Sequence, residues 1–93
     1  MVAESEKAIE RYCVDAAKKS GGVALKFSSP STRGVPDRMI IKPGGKIGFL
    51  ELKSTGKKPT KLQQHWLDRL NDLGFKAEVA DSKSKVKSFI EEL

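Results

Sequence analysis

The first part of the chain changes from a helical to a strand-like pattern of apolar residues. From Ala3 to about Ser20, apolar positions recur at spacings of three and four residues, which predicts an amphipathic helix. The pair Gly21-Gly22 ends this pattern, as expected where a helix terminates in a residue of positive φ. Beyond the pair, apolar residues alternate with others, and this period of two predicts a half-buried strand. Its apolar positions are Val23, Leu25 and Phe27.

Two further strands are predicted after a polar loop. Residues 28–36 are rich in serine, proline and glycine, which indicates a loop. Arg38 to Lys42 is predicted to form the second strand and Lys46 to Lys53 the third, because both stretches are rich in β-branched and other apolar residues. Pro43-Gly44-Gly45 forms the turn between them. The polar stretch from Ser54 to Pro59 predicts another loop.

The last third of the chain returns to helical spacing, interrupted by one strand. A helix is predicted from Thr60 to Leu73, and Gly74 ends it. Phe75 to Ala80 is predicted to be a fourth strand, and Asp81 or Ser82 to cap a final helix. The apolar faces of the two helices are Leu62, Trp66, Leu70 and Leu73 in the first, and Val86, Phe89, Ile90 and Leu93 in the second.

The predicted order of elements is αβββαβα, which is an α/β fold class with a mixed sheet (α+β). Three consecutive strands form a meander and a helix crosses over to the fourth, so we expect antiparallel and parallel pairing in one sheet with helices packed on it. A chain of 93 residues with 38% hydrophobic content allows one small domain, residues 1–93, and a modest core.

The charge balance favours an anionic partner. The net charge is +6 at pH 7, and the sequence pI is about 9.6. In a chain this short, such an excess of basic residues favours association with nucleic acid. Small basic proteins without such a partner are also common, so charge alone leaves both interpretations open.

Cysteine and hydropathy patterns predict an intracellular, cytoplasmic protein. Cys13 is the only cysteine, which excludes an intramolecular disulfide and a cysteine-rich zinc site, and its place on the apolar face of the first helix predicts a core residue. No apolar run approaches the ~20 residues that span a bilayer, and the charged N-terminal residues lack a signal-peptide pattern. We therefore expect no membrane partner.

Three residues at the ends of the second and third strands carry the candidate chemistry. Asp37 precedes one strand, and Glu51 and Lys53 lie near the end of its neighbour, so strand pairing would bring the two carboxylates together. Glu51 and Lys53 are two residues apart and therefore point to the same face. Two adjacent carboxylates repel unless a cation lies between them, and Mg²⁺ or Mn²⁺ prefers oxygen ligands. Such a metal and a nearby ammonium can hydrolyse a phosphodiester.

Each of these residues also has an alternative role that involves no chemistry. Asp37 at a loop-to-strand junction can be a turn former. Glu51 and Lys53 can form a buried ion pair, although such a pair contributes little to stability. Lys53 can also belong to the solvated basic stretch that follows. The joint pattern favours metal-dependent catalysis over the separate explanations.

The extended pattern resembles the VRR-Nuc branch of the PD-(D/E)XK nucleases. Gly34-Val35-Pro36-Asp37 and Glu51-Leu52-Lys53 are followed by a lysine-rich loop, a helix that opens with Gln63, and a Leu-x-x-x-Gly from Leu70 to Gly74. The resemblance covers about Glu10 to the C-terminus. It implies a restriction-endonuclease-like core, metal ligation by Asp37, Glu51 and the Leu52 carbonyl, and a catalytic Lys53.

The resemblance also implies supporting roles for Glu10 and Gln63. Glu10 on the first helix would contact the metal indirectly through water, and Glu6, one turn earlier, is the rival residue. Gln63 would align the water or a phosphate near the catalytic residues. The stretch from Thr60 to Gln63 is also a capping box, which explains Gln63 without chemistry. Both interpretations of Gln63 remain open.

The remaining motifs define the expected partners. Lys57, Lys58 and Lys61, together with Arg33, are predicted to contact DNA phosphates. His65 is predicted to be a surface residue, and the glycine pairs lack the spacing of a P-loop, so no nucleotide cofactor is expected.

The sequence predicts a structure-selective, Mg²⁺- or Mn²⁺-dependent DNA endonuclease. Stand-alone VRR-Nuc proteins resemble the resolvases of four-way (Holliday) junctions, which suggests branched DNA as the substrate. Because symmetric cutting needs two active sites, we expect a homodimer. A flap, fork or nicking nuclease, or a non-catalytic DNA-binding module with the same fold, is the alternative.

Overall fold

The computed structural model describes residues 2–93 and has the predicted order of three helices and four strands. The elements are α1 Glu6–Lys19, β1 Val23–Lys26, β2 Arg38–Lys42, β3 Lys46–Leu52, α2 Lys61–Asp72, β4 Lys76–Ala80 and α3 Lys83–Glu92. No helix in this part of the chain is long and apolar enough to cross a membrane.

The first helix begins later than its apolar spacing predicts. Ser5 caps it by accepting a hydrogen bond from the Ala8 amide, so the helix starts at Glu6 rather than at Ala3. At the other end, Gly21 has a φ of +85°, which confirms the predicted glycine termination. The amide of Gly22 donates to the Ala17 carbonyl and closes the last turn.

The four strands form one mixed sheet in the order β1-β2-β3-β4. β1, β2 and β3 pair antiparallel, and β4 pairs parallel to β3 after the α2 crossover, as predicted. The tight turn between β2 and β3 uses Gly44 and Gly45, both at positive φ. β3 therefore lies between two neighbours, and its C-terminal end adjoins the start of β2 and the end of β4.

The two faces of the sheet are covered unequally. α1 and α3 pack on one face over the larger core cluster, which includes Ile9, Cys13 and Phe89. α2 packs on the other face, mainly against β4, over a smaller cluster of Phe49, Leu67 and Ala77. The burial of Cys13 confirms the prediction that it is a core residue.

The buried face of α2 differs from the predicted one. Leu67 is the buried residue of this helix, whereas Leu62 and Leu73 are about half exposed. Two overlapping apolar stripes exist on α2, and its placement over β4 buries the one through Leu67, which packs with Phe49 and Ala77. The prediction that Leu62 and Leu73 line the packed face was wrong.

The buried face of β1 also differs from the prediction. Ala24 faces α1 and is buried, whereas Leu25 is 47% exposed. Val23, Leu25 and Phe27 lie on the face that α2 occupies, and α2 does not reach β1. Phe27 is the exception, because it contacts Phe49, with ring centroids 5.4 Å apart.

The last helix is held at its C-terminal end by a lysine from the sheet. Its apolar residues Val86, Phe89 and Ile90 are buried, as predicted, and Ser82 rather than Asp81 is the N-cap. The Lys42 ammonium on β2 donates to the carbonyl oxygen of Ile90, 2.6 Å away. A cation at this position satisfies free carbonyls and complements the negative end of the helix dipole.

Candidate active site

Asp37 is held at the start of β2 by a hydrogen bond to β3. Its Oδ2 atom accepts from the backbone amide of Leu52 at 2.9 Å. The backbone carbonyl of Asp37 accepts a hydrogen bond from the Phe27 amide at 2.8 Å. This bond joins the start of β2 to the residue that follows β1. Pro36 immediately before it is buried. These contacts fix the Asp37 carboxylate beside the C-terminal end of β3.

Glu51 is the buried charged residue of this end of the sheet. It is only 2% exposed and lies in the middle of the mixed sheet on β3. Its Oε1 atom is buried and, among the described residues, has no hydrogen-bond partner. Its Oε2 atom lies 3.4 Å from the Lys53 ammonium. The prediction that Glu51 and Lys53 point to the same face agrees with this contact.

The environment of Glu51 disfavours its charged form. Burial, and then the neighbouring charge of Asp37, raise the pKa of Glu51 to about 7, although the Lys53 ammonium acts in the opposite direction. The single Lys53 ammonium balances only one of the two carboxylates, so one negative charge at the site has no counter-charge. A bound divalent cation would supply that charge and a partner for the free Oε1 atom, so the donor set fits a hard metal ion.

The structure does not bring Glu10 together with these two carboxylates. Glu10 on α1 forms an ion pair with Arg38, whose nitrogen lies 3.5 Å from the Glu10 carboxylate. Arg38 pairs with Leu50 in the strand register, and both side chains point toward α1, opposite to Glu51. Between residues 2 and 93, no three His, Cys, Asp or Glu side chains converge. Asp37 and Glu51 form a pair, and Glu10 takes no direct part in it.

Gln63 caps the start of α2, which is the structural role that its position in the sequence permits. The Thr60 amide donates to Gln63 Oε1 at 2.9 Å, and the Gln63 amide donates to Thr60 Oγ1 at 3.1 Å. This is a complete capping box. In this conformation the Gln63 side-chain oxygen is engaged at the helix start.

The predicted phosphate-contacting residues lie on two loops and on the first turn of α2. Lys57, Lys58 and Lys61 are exposed, and so is Arg33 on the loop before β2. The loop before β2 approaches α2 at Gly34, where a Cβ atom would lie 2.7 Å from Leu62 Cγ. Arg33 and Lys61, the neighbours of these two contact residues, are therefore brought to the same end of the sheet as Asp37.

The alternative nucleophiles and metal ligands do not form a site. Burial raises the pKa of the Cys13 thiol to about 11, which keeps it protonated and unreactive. His65 is exposed and stacks edge-on with Trp66, as expected of a surface residue. The acid pair with its lysine is the chemically distinctive group of the described chain.

Three residues near the site were not identified from the sequence. Arg38 follows Asp37 and binds Glu10, Thr55 follows Lys53 by two residues, and Asp81 follows β4. Asp81 was considered only as a helix cap. These residues have partners far away in sequence, namely Glu10 for Arg38, Glu4 for Thr55 and Gly56 for Asp81, and no local spacing indicates those contacts.

A mixed sheet with Asp at the start of one strand and Glu-x-Lys on the next defines a PD-(D/E)XK-type nuclease core. Residues 3–84 match the sequence profile of the VRR-NUC domain family. The chain belongs to the VRR-NUC domain family, and its domain is a nuclease domain.

Two relatives support this assignment. The chain is 47% identical over 78 residues to a protein named "Putative nuclease p44" of Acyrthosiphon pisum secondary endosymbiont phage 1, with 84% of each chain covered. It is also similar to a solved structure described as a VRR_NUC domain. That match has a TM-score of 0.84 and 28% identity, and covers 95% of this chain and 97% of the other.

Proposed function

We propose that this nuclease domain is a Mg²⁺- or Mn²⁺-dependent DNA endonuclease that hydrolyses phosphodiesters. The observation that carries the proposal is the buried Oε1 atom of Glu51, which lacks a partner beside a second carboxylate on Asp37. Burying the Glu51 carboxylate beside a second carboxylate is unfavourable unless a cation lies close to both. The Leu52 carbonyl between them is the further ligand that the family resemblance implies.

The roles of the residues follow from their positions. Asp37 and Glu51 hold the divalent ion, and the Leu52 amide fixes the orientation of the Asp37 carboxylate. When bound, the ion supplies Lewis-acid polarisation of the phosphate and a lower pKa for a bound water. The Lys53 ammonium, in phase with Glu51, stabilises developing negative charge or orients the attacking water.

The basic loops supply the DNA contacts in this proposal. Lys57, Lys58, Lys61 and Arg33 are exposed around the start of α2, where they contact backbone phosphates and position the DNA without reading its sequence. The net charge of +6 strengthens this association.

A four-way junction is the substrate that we favour, cut by a homodimer. Paired cuts require two active sites at a fixed separation, which a two-fold dimer provides. Large apolar side chains remain exposed on and around the face that α2 covers, at Leu25, Leu62, Leu73 and Phe75. Burial of such surface in a second copy would be favourable. Light scattering should give twice the chain mass of 10.2 kDa.

Cleavage of four-way, flap, fork and linear DNA with Mg²⁺ or Mn²⁺, with products mapped, tests the function. We expect metal-dependent cutting that is strongest on the four-way junction and absent in Lys53→Ala. A preference for flaps or forks would overturn the junction assignment and leave the nuclease. Tight binding without cleavage in either metal would favour the non-catalytic DNA-binding module.

A further inference from the structure

The loop that follows the Glu-x-Lys strand is tied to the N-terminal segment of the chain. Thr55 donates its amide to the Glu4 carbonyl at 3.0 Å, and its hydroxyl accepts from the Glu4 amide at 2.9 Å. One bond is backbone to backbone and the other uses the Thr55 side chain, and together they join segments that are 51 residues apart. The Glu4 carboxylate accepts in turn from the Lys83 amide at the start of α3, at 2.9 Å.

The same loop is tied to the residue that follows β4. The Thr55 hydroxyl donates to the Asp81 carbonyl at 3.0 Å, and the Gly56 amide donates to the Asp81 carboxylate, also at 3.0 Å. The other oxygen of that carboxylate pairs with Lys85 at 2.8 Å. The Asp81 side chain is 15% exposed and Lys85 is 62% exposed, and both bonds to the carboxylate are charge-assisted.

This network lies directly between the proposed catalytic lysine and the basic loop. The Lys53 amide extends the pairing of β3 with β4 by donating to the Ala80 carbonyl at 3.1 Å. A turn closed by the Lys57 amide and the Ser54 carbonyl follows, with Gly56 at a φ of +88°. Thr55 and Gly56 are therefore the points at which the chain is fixed between Lys53 and Lys57.

We propose that Thr55 and Asp81 are positioning residues, which hold the Lys53–Lys58 segment in the geometry that cleavage requires. Neither residue contacts the acid pair in the described structure, so both act through the backbone of the loop. Without the network the loop would be held only at β3 and at the Thr60 cap. The inference rests on the proposed nuclease function, because the groups that would move if the network were lost are Lys53 and the phosphate-contacting lysines.

A matched pair of substitutions at Thr55 separates the network from simple packing. Thr55→Val keeps the shape of the side chain and removes the hydroxyl, whereas Thr55→Ser keeps the hydroxyl. A displacement of about 1 Å near a reacting group can cost on the order of 10²-fold in rate. We therefore expect Thr55→Val to lower kcat by about tenfold or more at saturating DNA and metal, and Thr55→Ser to cleave like the wild type.

Hydrogen exchange supplies a readout that does not depend on cleavage. The amides of Thr55, Gly56 and Lys57 should exchange faster in Thr55→Val than in Thr55→Ser, whereas amides in the middle of α1 should not change. Asp81→Ala, which removes the acceptor of the Gly56 amide, and Asp81→Asn, which keeps an oxygen there, repeat the comparison if Thr55→Val fails to fold.

The outcomes distinguish the network from the function. Equal kcat for the valine and serine variants of an active enzyme would overturn the positioning role, and so would unchanged exchange in the loop. A wild-type protein that cleaves no DNA would overturn the proposed function instead. Slower cleavage with faster loop exchange, restored by serine, is the result that we expect.

Discussion

The carboxylate of Asp37 accepts a hydrogen bond from the backbone amide of Leu52, 2.9 Å away on the adjacent strand. Because Leu52 directly follows Glu51, this bond fixes one carboxylate beside the other. Burial, and then the neighbouring charge of Asp37, raise the pKa of Glu51 to about 7.

Removing either acid should abolish cleavage and leave DNA binding largely intact. Asp37→Asn and Glu51→Gln each remove a proposed ligand of the divalent ion but leave the basic loops unchanged, so activity should fall by at least about 10²-fold while affinity changes little. Cleavage and binding are measured on the same substrate. Glu78→Gln, at an exposed carboxylate of β4, is the control. Wild-type rates in either acid variant at saturating Mg²⁺ would exclude this site.

Neutralising Lys57, Lys58 and Lys61 together should weaken DNA binding and reduce its salt dependence. Each lost phosphate contact should lower the magnitude of the slope of log K against log salt by about 0.9 on duplex DNA. Lys18, Lys19 and Lys87 form a matched control. The end of α1, with Lys18 and Lys19, lies beside the β2–β3 turn at the far end of the sheet from Asp37, and Lys87 on α3 lines the same surface depression as Lys19. A slope that falls equally in both triple variants would show that only total charge matters.

The metal-free protein should become less stable than Glu51→Gln as the pH rises. The pKa of Glu51 is raised in the folded state, from an ordinary value of 4.5 to about 7. Such a group contributes its stability fully below pH 4.5 and loses it as the pH rises through 7. The difference in Tm between wild type and Glu51→Gln, measured with chelator from pH 4 to 8, should shift steadily in favour of the variant. A difference independent of pH would contradict the burial of a titrating Glu51.

Replacing Lys42 should destabilise the packing of α3. Lys42→Met keeps the apolar part of the side chain and removes the donor to the Ile90 carbonyl, so the free energy of unfolding should fall by about 1–2 kcal/mol. Denaturant unfolding provides the measurement. Lys46→Met is the control, because Lys46 pairs with Lys42 in the strand register and is exposed. Equal losses in the two variants would mean that the contact with Ile90 contributes nothing specific.

The candidate acid pair could be predicted because every step toward it is local. A proline-glycine turn joins two apolar strands that are adjacent in sequence, so their pairing follows from chain connectivity. The period of two then places Glu51 and Lys53 on one face. Gly21 at the end of α1 and the Thr60 capping box were predictable for the same reason, since their partners lie within a few residues.

The buried faces of α2 and β1 could not be predicted from their own patterns. α2 carries overlapping apolar stripes, and only its placement over β4 selects Leu67 instead of Leu62 and Leu73. Leu25 has the spacing of a core residue but is left exposed because α2 does not extend to β1. The spacing of apolar residues describes a single helix or strand, whereas the burial of those residues depends on how much of that element the neighbouring element covers.

The sequence by itself determined the order of elements, the mixed sheet and the convergence of Asp37 with Glu51. It did so because turn chemistry, capping and side-chain period act over short stretches of chain. Only the tertiary structure decided that Glu10 pairs with Arg38 and that Thr55 joins Glu4 to Asp81. The contacts of Thr55 connect residues 26 and 51 positions apart. Polar residues so far apart in sequence come into contact only when whole helices and strands pack together, so no local sequence pattern predicts these pairs.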